Sequence, residues 1–130
     1  MLKTLKIVSL IFGVVLILAC KQTITHKLEV TATAYNSLPT QTHSQHPAIT
    51  AWGDTLKPGM KAVAVSRDLI EKGLTHGTTI RINGLEGEYV VLDKMNKRWE
   101  KKIDIYMGRN VEKALRWGRR EVIISWETKE

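Results

Sequence analysis

Two aspartates in strand-like surroundings are the residues of this 130-residue chain whose type and position best suit catalysis. Asp93 directly follows the apolar run 89–92, and Asp104 lies inside the run 102–106 with an isoleucine on each side. Aspartate is depleted in β-strands, and the two isoleucines share one face of an alternating strand, so Asp104 projects from the other face. If the two strands approach each other, like charge and partial burial raise the pKa of one carboxyl and provide a general acid near neutral pH.

A purely structural explanation of these aspartates is also open, and composition alone favours it. In that explanation Asp93 begins a turn, and Asp104 pairs with a nearby lysine or arginine. The two explanations differ in one testable respect, because only the catalytic one requires the two carboxyl groups to lie near each other.

Other kinds of site have weaker support in the sequence. His43 and His46 are the only histidines close in sequence, and no cysteine follows Cys20, so we expect no metal site and no cofactor. Phosphate-binding and serine-hydrolase motifs are absent. The basic run 94–102 around Trp99 would suit nucleic acid, but a secreted protein rarely meets it. We therefore interpret the run as a solvated loop and expect no nucleic-acid partner.

The N-terminus has the pattern of a secretory leader. Its apolar run at 7–19 is shorter than the roughly 18 to 20 residues of a membrane-spanning helix, and Lys3 and Lys6 precede it. The run ends in Ala19-Cys20, which resembles the lipobox of bacterial lipoproteins. We expect residues 1–19 to be a lipoprotein signal peptide and Cys20 to carry acyl chains that hold the protein at a membrane. The expected location is extracytoplasmic, on the periplasmic side of the outer membrane.

The rest of the chain has the composition of one small domain. With 43% hydrophobic and 25% charged residues and a net charge of +7, the chain is modestly basic and of ordinary globular composition. Because Cys20 is the only cysteine, this domain must fold without disulfides. We expect residues 20–27 to be a flexible polar tether, residues 28–126 to form the domain and residues 127–130 to be a C-terminal tail.

The elements that must position the aspartates are short strands. Residues 36–61 are polar and rich in glycine and proline, which predicts one long loop. Alternating or β-branched apolar patterns predict strands elsewhere, and 78–82 with 88–92 have the pattern of a hairpin. The predicted strands are 27–35, 62–65, 78–82, 88–92, 102–107 and 121–126.

Two short helices are predicted between the strands. Ser66 is a suitable cap for a helix at 67–72, and Asn110 for one at 111–117 that Gly118 ends. In the second helix Val111, Ala114 and Leu115 share the face expected to pack on the core. Six strands with two helices are typical of a small mixed β-barrel or of an α+β sheet, and the pattern alone does not distinguish these.

Seven segments between residues 28 and 126 carry a family resemblance by their order and spacing. They are Val30-Thr31-Ala32-Thr33-Ala34-Tyr35, Thr50-Ala51-Trp52-Gly53, Lys61-Ala62-Val63-Ala64-Val65-Ser66, Gly77-Thr78, Val91-Leu92-Asp93, Lys102-Ile103-Asp104-Ile105-Tyr106 and Ala114-Leu115-Arg116-Trp117-Gly118-Arg119. With these segments, residues 28–126 resemble the 3D (Asp-Asp-Asp) domain family, which occurs in membrane-bound lytic transglycosylases and in stationary-phase muralytic proteins.

The resemblance implies a fold and an activity. The implied fold is mainly β with short helices, a six-stranded double-psi β-barrel, and the implied activity is cleavage of peptidoglycan glycan strands. Asp104 matches the family's catalytic acid and Asp93 a supporting aspartate. One position departs, since Ser66 stands where the family has its first aspartate, with Asp68 two residues later. The basic segment 94–99 also replaces a turn that is often glycine-rich in the family.

A lytic transglycosylase needs only one catalytic carboxyl, because the C6 hydroxyl of the muramic acid is its nucleophile. Asp104 would protonate the leaving oxygen and then accept the hydroxyl proton, so a second carboxylate is dispensable. We expect the glycan strand to be the partner of a monomer. The expected substrate-binding residues are Tyr35, Thr50, Trp52, Gly53, Ser66, Asp68 and Trp99, whereas Trp117 and Trp126 are expected in the core.

Two other functions fit the same residues. A barrel of this kind could bind peptidoglycan or a cell-envelope partner without cleaving it, which the loss of an aspartate at Ser66 permits. A glycosidase that admits water would need a second carboxylate about 5 to 9.5 Å from Asp104, and only Asp93 or Asp68 is placed to supply it.

Overall fold

The structure is a computed structural model that describes Gly13, residues 21–38 and residues 48–130. The predicted lipidation at Cys20, the His43 and His46 pair and nearly all of the predicted signal peptide lie outside these residues. Within the described part of the chain, no helix is long and apolar enough to cross a membrane.

Six strands close into a barrel, which confirms the predicted mainly-β architecture with two short helices. Around the barrel the strands follow the order β1-β5-β2-β4-β3-β6, and β6 pairs with β1 to close it. The strands are β1 (Thr23–Tyr35), β2 (Ala62–Val65), β3 (Thr79–Ile82), β4 (Tyr89–Lys94), β5 (Lys102–Tyr106) and β6 (Arg120–Lys129), and the helices are α1 (Arg67–Ile70) and α2 (Val111–Trp117).

The strand order contains two interlocked psi motifs. Strands β1 and β2 are consecutive in the chain, yet β5 lies between them and pairs with both. Strands β4 and β5 are also consecutive, and β2 lies between them. Each loop therefore spans a strand that belongs to the other motif, which is the double-psi β-barrel that the family resemblance implied.

The interior of the barrel is filled by the alternate apolar residues of each strand. Ile103 and Ile105 are completely buried, as are Val63 and Val65 on the neighbouring strand, so the residues between them in each strand project to the other side of the sheet. Trp117 and Trp126 belong to the same core, as predicted, with 8% and 5% of their surface exposed. On the outer side, β1, β4 and β5 carry partly exposed polar residues, whereas all four residues of β2 are buried.

Helix α2 has its predicted bounds, but its predicted core face is wrong at one residue. Asn110 caps the helix by accepting a hydrogen bond from Lys113 N, as expected. Leu115 is 76% exposed, because the helix packs through Trp117, whose indole N–H donates to Ala32 O at 3.3 Å. Anchoring at Trp117 turns Leu115 toward solvent.

The two ends of the domain are longer than the sequence indicated. The predicted tether at 20–27 and tail at 127–130 contribute Thr23–Lys27 and Glu127–Lys129 to a continuous antiparallel ladder between β1 and β6. These residues lack apolar alternation, so periodicity did not reveal them. The backbone pairing of each segment with the other extends both strands.

Helix α1 is shorter than predicted, ending at Ile70 instead of residue 72. Ser66 precedes it but forms no side-chain cap, because its Oγ accepts a hydrogen bond from Lys102 N at 2.9 Å. Without that cap the helix is a single turn, and Ser66 instead joins the end of β2 to the start of β5.

Candidate functional site

The predicted aspartates lie in one row across four strands on the outside of the barrel. Ala64 of β2 pairs with Asp93 of β4 on one side and with Asp104 of β5 on the other, and Asp104 pairs in turn with Thr33 of β1. Residues that are directly opposite in a ladder share a face. We call this row of Thr33, Asp104, Ala64 and Asp93 the aspartate face.

A β-bulge turns Asp93 toward that face. Val63 pairs with Val91, but the next residue, Ala64, pairs with Asp93, so Leu92 is an extra residue in β4. Without the extra residue, strict alternation from the buried Val91 would direct Asp93 into the barrel. Bulges commonly re-aim a side chain at functional sites. The sequence contained no signal for this bulge.

The two carboxyl groups share a surface without belonging to adjacent strands. Because β2 separates β4 from β5, the Cα atoms of Asp93 and Asp104 are about 10 Å apart, twice the usual strand spacing. The residue between them is Ala64, which is itself buried, with 5% of its surface exposed. The negative charge of Asp93 is close enough to contribute to a raised pKa of Asp104.

Burial raises the pKa of Asp104 above its usual range. Three other influences are smaller: the hydrogen bond from Thr33 Oγ1 and the ammonium of Lys102 lower the pKa, and Asp93 raises it. Thr33 Oγ1 donates to Oδ1 at 3.0 Å. Asp104 therefore has the combination of partial burial and neighbouring charge that makes a carboxyl group available as an acid nearer neutral pH.

Asp93 is held more tightly and anchors a loop. Burial raises its pKa, the backbone N–H groups of Ala51 and Lys94 lower it, and the charge of Asp54 raises it. Both N–H groups donate to Oδ1, at 2.8 and 2.9 Å. Asp93 thus attaches the loop at residue 51 to the edge of the aspartate face.

That loop brings Trp52 next to Asp93. Gly53 N donates to Thr50 O and Asp54 N donates to Thr50 Oγ1, both at 3.0 Å, and these bonds close a tight turn. Gly53 has φ +88°, a conformation that favours glycine. Thr50 and Gly53, predicted as substrate-binding residues, are therefore placed as the turn that holds Trp52.

The ring of His76 packs against Trp52, and this contact was not identified from the sequence. Its Nε2 lies 2.6 Å from Asp54 Oδ2, and its ring contacts Trp52 edge-on with centroids 5.2 Å apart. On the other side, Lys94 Nζ is 5.7 Å from the centre of the Trp52 ring. An isolated histidine in a turn carries no pattern that could have indicated this contact.

Trp99 lies within a basic group at Lys102, the residue of β5 that precedes Asp104 by two positions. Lys102 Nζ lies 3.6 Å from the centre of the Trp99 ring, and the Arg98 guanidinium lies 4.8 Å from it. Burial lowers the pKa of Lys102; Asp104 raises it, whereas Arg119 and Arg98 lower it further. The segment interpreted as a solvated loop therefore contributes a cationic wall beside Asp104.

Tyr35 lies close enough to both carboxyl groups for their charges to act on its hydroxyl. It pairs with Tyr106 across β1 and β5, with ring centroids 5.5 Å apart. Its hydroxyl is buried, and no described residue forms a hydrogen bond with it. Burial, followed by the charges of Asp93 and Asp104, raises the pKa of Tyr35 well above its usual value. The structure thus places Tyr35 at the site, with its hydroxyl under the surface.

The structure does not bring Ser66 and Asp68 to the aspartate face. Ser66 is completely buried and its hydroxyl is bonded to β5, so it offers no surface to a ligand. Asp68 Oδ2 accepts from Lys101 N at 2.9 Å, where Lys101 has φ 49°. Both side chains fix the start of β5, and their predicted role in substrate binding stays a prediction.

The sequence matches no family model and no curated protein, so membership of the 3D domain family stays a prediction. The fold has solved relatives. Apo expansin of Clavibacter michiganensis superposes with a TM-score of 0.50 at 19% identity, over 81% of this chain and 52% of that one. A mutant of the same expansin in complex with cellohexaose gives 0.50 at 18%, over 79% and 50%. This chain therefore spans about half the length of the expansin chains.

A third relative is the Streptomyces papain inhibitor, with a TM-score of 0.53 at 18% identity, over 79% of this chain and 94% of that one. At such low identity these likenesses establish the fold alone. The class that they define together with the strand order is the double-psi β-barrel.

Proposed function

We propose that the aspartate face binds a glycan strand of peptidoglycan. The observation that carries the proposal is the row in which Asp93 and Asp104 flank Ala64, with Trp52 in the loop that Asp93 holds and Trp99 against Lys102 of the strand that carries Asp104. Carboxylates accept hydrogen bonds from sugar hydroxyls, and aromatic rings cover the apolar faces of sugars. The surface offers both kinds of group.

The charge of the surroundings favours an anionic wall glycan over a neutral one. Lys102 and Arg98 surround Trp99, and Lys94 lies beside Trp52, so cations border the aspartate face on both sides. Peptidoglycan carries carboxylates on its peptide stems, which these cations would attract. The cellohexaose complex of the expansin supports the proposal that this barrel class binds polysaccharide.

Binding is tested by sedimentation with purified peptidoglycan and by titration with soluble glycan fragments. Trp52→Ala and Trp99→Ala should each weaken binding by about 1 to 2 kcal/mol, roughly tenfold in Kd, as expected for aromatic residues central to a contact. Leu115→Ala is the matched control, because Leu115 is exposed on α2 and belongs to no part of the site. Equal binding by all three variants would contradict the proposal.

Cleavage of the bound strand is the second candidate function, and the environment of Asp104 favours it. A protonated Asp104 would donate its proton to the glycosidic oxygen as the bond from C1 breaks. The C6 hydroxyl of the same muramic acid would then bond to C1 and pass its proton to the Asp104 carboxylate, leaving a 1,6-anhydro end. The cycle restores the acid and needs no water.

The two functions are separated by their products. Mass spectrometry of peptidoglycan after incubation with the protein detects 1,6-anhydromuramoyl ends if cleavage occurs. Binding without such ends identifies a non-catalytic module. We also propose the monomeric state, and the extracytoplasmic, lipid-anchored location at Cys20 that the leader predicts.

A further inference from the structure

Lys102 is a buried cation on the same face of β5 as Asp104. Only 7% of its surface is exposed, whereas its neighbour Lys101 is exposed. Alternate residues of a strand share a face, and two residues span about 7 Å along it. The side chain of Lys102 therefore belongs to the surroundings of the proposed acid.

No carboxylate pairs with the ammonium group of Lys102. Among the described residues, its Nζ forms no hydrogen bond and no ion pair, and the contact that it does make is with the Trp99 ring, 3.6 Å from the ring centre. The rest of the chain, in the stretches 1–20 and 39–47, contains no acidic residue. An aromatic ring attracts a cation, but it leaves the three N–H donors of a lysine without an oxygen acceptor.

The charges nearest to Lys102 are mostly positive. Arg98 and Arg119 both act on it with like charge, and neither forms an ion pair with a described residue. Asp104 attracts Lys102 from beyond ion-pair distance, and Glu121 lies two strands away in the same ladder row, about 10 Å. A buried cation among like charges is costly without a counter-ion, and such arrangements are typical of sites that bind an anion.

We infer that Lys102, with Arg98 and Arg119, forms an anion subsite that binds a carboxylate carried by a muramic acid residue of the glycan strand. The inference rests on the proposed function of the aspartate face and names the group that is recognised next to Asp104. Carboxylates suit the subsite because they accept charge-assisted hydrogen bonds from ammonium and guanidinium groups.

Two carboxylates of peptidoglycan have this chemistry. Muramic acid carries a lactyl carboxyl group directly on its ring, and this group is ionised where no peptide stem is attached. Where a stem is attached, the lactyl group is an amide and the carboxylates lie farther out. Because Lys102 and Asp104 lie about 7 Å apart along β5, within one sugar residue, the lactyl carboxylate is the better match.

The probes are N-acetylmuramic acid and its lactyl carboxamide, which have nearly the same shape and differ in charge. Each is titrated to millimolar concentration into the isotope-labelled full chain and followed by NMR. We expect the acid to shift the indole N–H of Trp99 and the backbone amides of 101–104. The carboxamide should bind roughly tenfold more weakly, because it loses a charge-assisted hydrogen bond. N-acetylmuramoyl-L-alanine separates the two sources, since its carboxylate lies beyond the lactyl group; the tighter of the two acids identifies the source.

Two variants of the protein complete the test. Lys102→Met keeps an unbranched apolar side chain against Trp99 and removes the charge, so it should bind the acid and the carboxamide equally. Its thermal midpoint should stay unchanged or rise, because an unpaired buried cation is lost. Lys101→Met is the matched control, because it removes a neighbouring exposed charge and should keep the preference of the wild type.

Three results would overturn the inference: equal binding of acid and carboxamide by the wild type, no shift with either, or an unchanged preference in folded Lys102→Met. The first two need no variant, so the test holds even if Lys102→Met fails to fold. Sedimentation with whole peptidoglycan tests the proposed function separately. A protein that sediments with peptidoglycan but does not distinguish the acid from the carboxamide contradicts the anion subsite alone.

Discussion

Asp104→Asn separates the two functions proposed for the aspartate face. Asparagine has nearly the shape of aspartate, and its side-chain oxygen can still accept the 3.0 Å hydrogen bond from Thr33 Oγ1. The substitution removes the negative charge and the transferable proton. Since burial raises the pKa of Asp104, the ionised form is disfavoured in the folded protein. We therefore expect the thermal midpoint at neutral pH to stay unchanged or to rise.

We expect Asp104→Asn to weaken glycan binding and to slow cleavage by different factors. Thr33 occupies Oδ1, so Oδ2 is the oxygen left for a ligand. Replacing one charge-assisted hydrogen bond by a neutral one costs about 1 kcal/mol, or roughly five- to tenfold in Kd. Loss of the general acid costs about 10² to 10⁴ in rate. Cleavage should therefore fall far more than binding.

The assay counts 1,6-anhydromuramoyl ends by mass spectrometry and measures glycan binding on the same protein sample. Asp93→Asn is the matched control, because both hydrogen bonds to its Oδ1 can be kept and its effect on Asp104 is indirect. We expect it to lower the rate less than Asp104→Asn does. Wild-type product from folded Asp104→Asn would refute a catalytic role for Asp104, and no product from the wild type would leave binding as the function.

Other predictions concern the bulge, the buried carboxyl groups, Ser66 and the leader. Deleting Leu92 should direct Asp93 into the core and prevent folding, whereas Leu92→Ala keeps the register and should fold; circular dichroism distinguishes them. Because the folded-state pKa values of Asp93 and Asp104 are raised, their contribution to stability should fall as pH rises from the unfolded pKa, near 4, through the folded values. Denaturant titrations at several pH values measure this; a double Asn variant whose free energy of unfolding changes with pH as the wild type's does would contradict it. Ser66→Asp should lower the free energy of unfolding by about 2 kcal/mol or more, since it buries a carboxylate, and a wild-type thermal midpoint would refute that cost. Intact-mass analysis of protein extracted from membranes should show a chain that begins at an acylated Cys20, and an unmodified chain that retains Met1 would exclude this.

The parts of the fold that follow from local pattern were predicted well. Helix α2 has both a cap at Asn110 and a stop at Gly118, and its bounds are as predicted. Strand β5 alternates clearly, so the opposite orientations of Ile103 and Asp104 followed from period two. These features depend on neighbours within a few residues, which a single sequence displays.

The features that were missed depend on residues distant in sequence. The bulge at Leu92 exists because β4 pairs with β2, and the ladder of Thr23–Lys27 exists because the end of β6 lies beside it. Ser66 is of a residue type that often caps helices, but its hydroxyl accepts a hydrogen bond from Lys102 N instead. Local propensity is overridden in each case by a tertiary partner.

The geometry gives the two aspartates unequal roles. Asp93 Oδ1 accepts two backbone hydrogen bonds, one of which fixes the loop that carries Trp52, so moving Asp93 would also move one side of the binding surface. Asp104 accepts one bond, from a side chain, and has Lys102 nearby to stabilise its carboxylate. A group that gains and loses a proton in each cycle must tolerate both charge states with little rearrangement. Asp104 meets that condition better, which is why a mechanism with one catalytic carboxyl fits this barrel better than one that shares the chemistry between both.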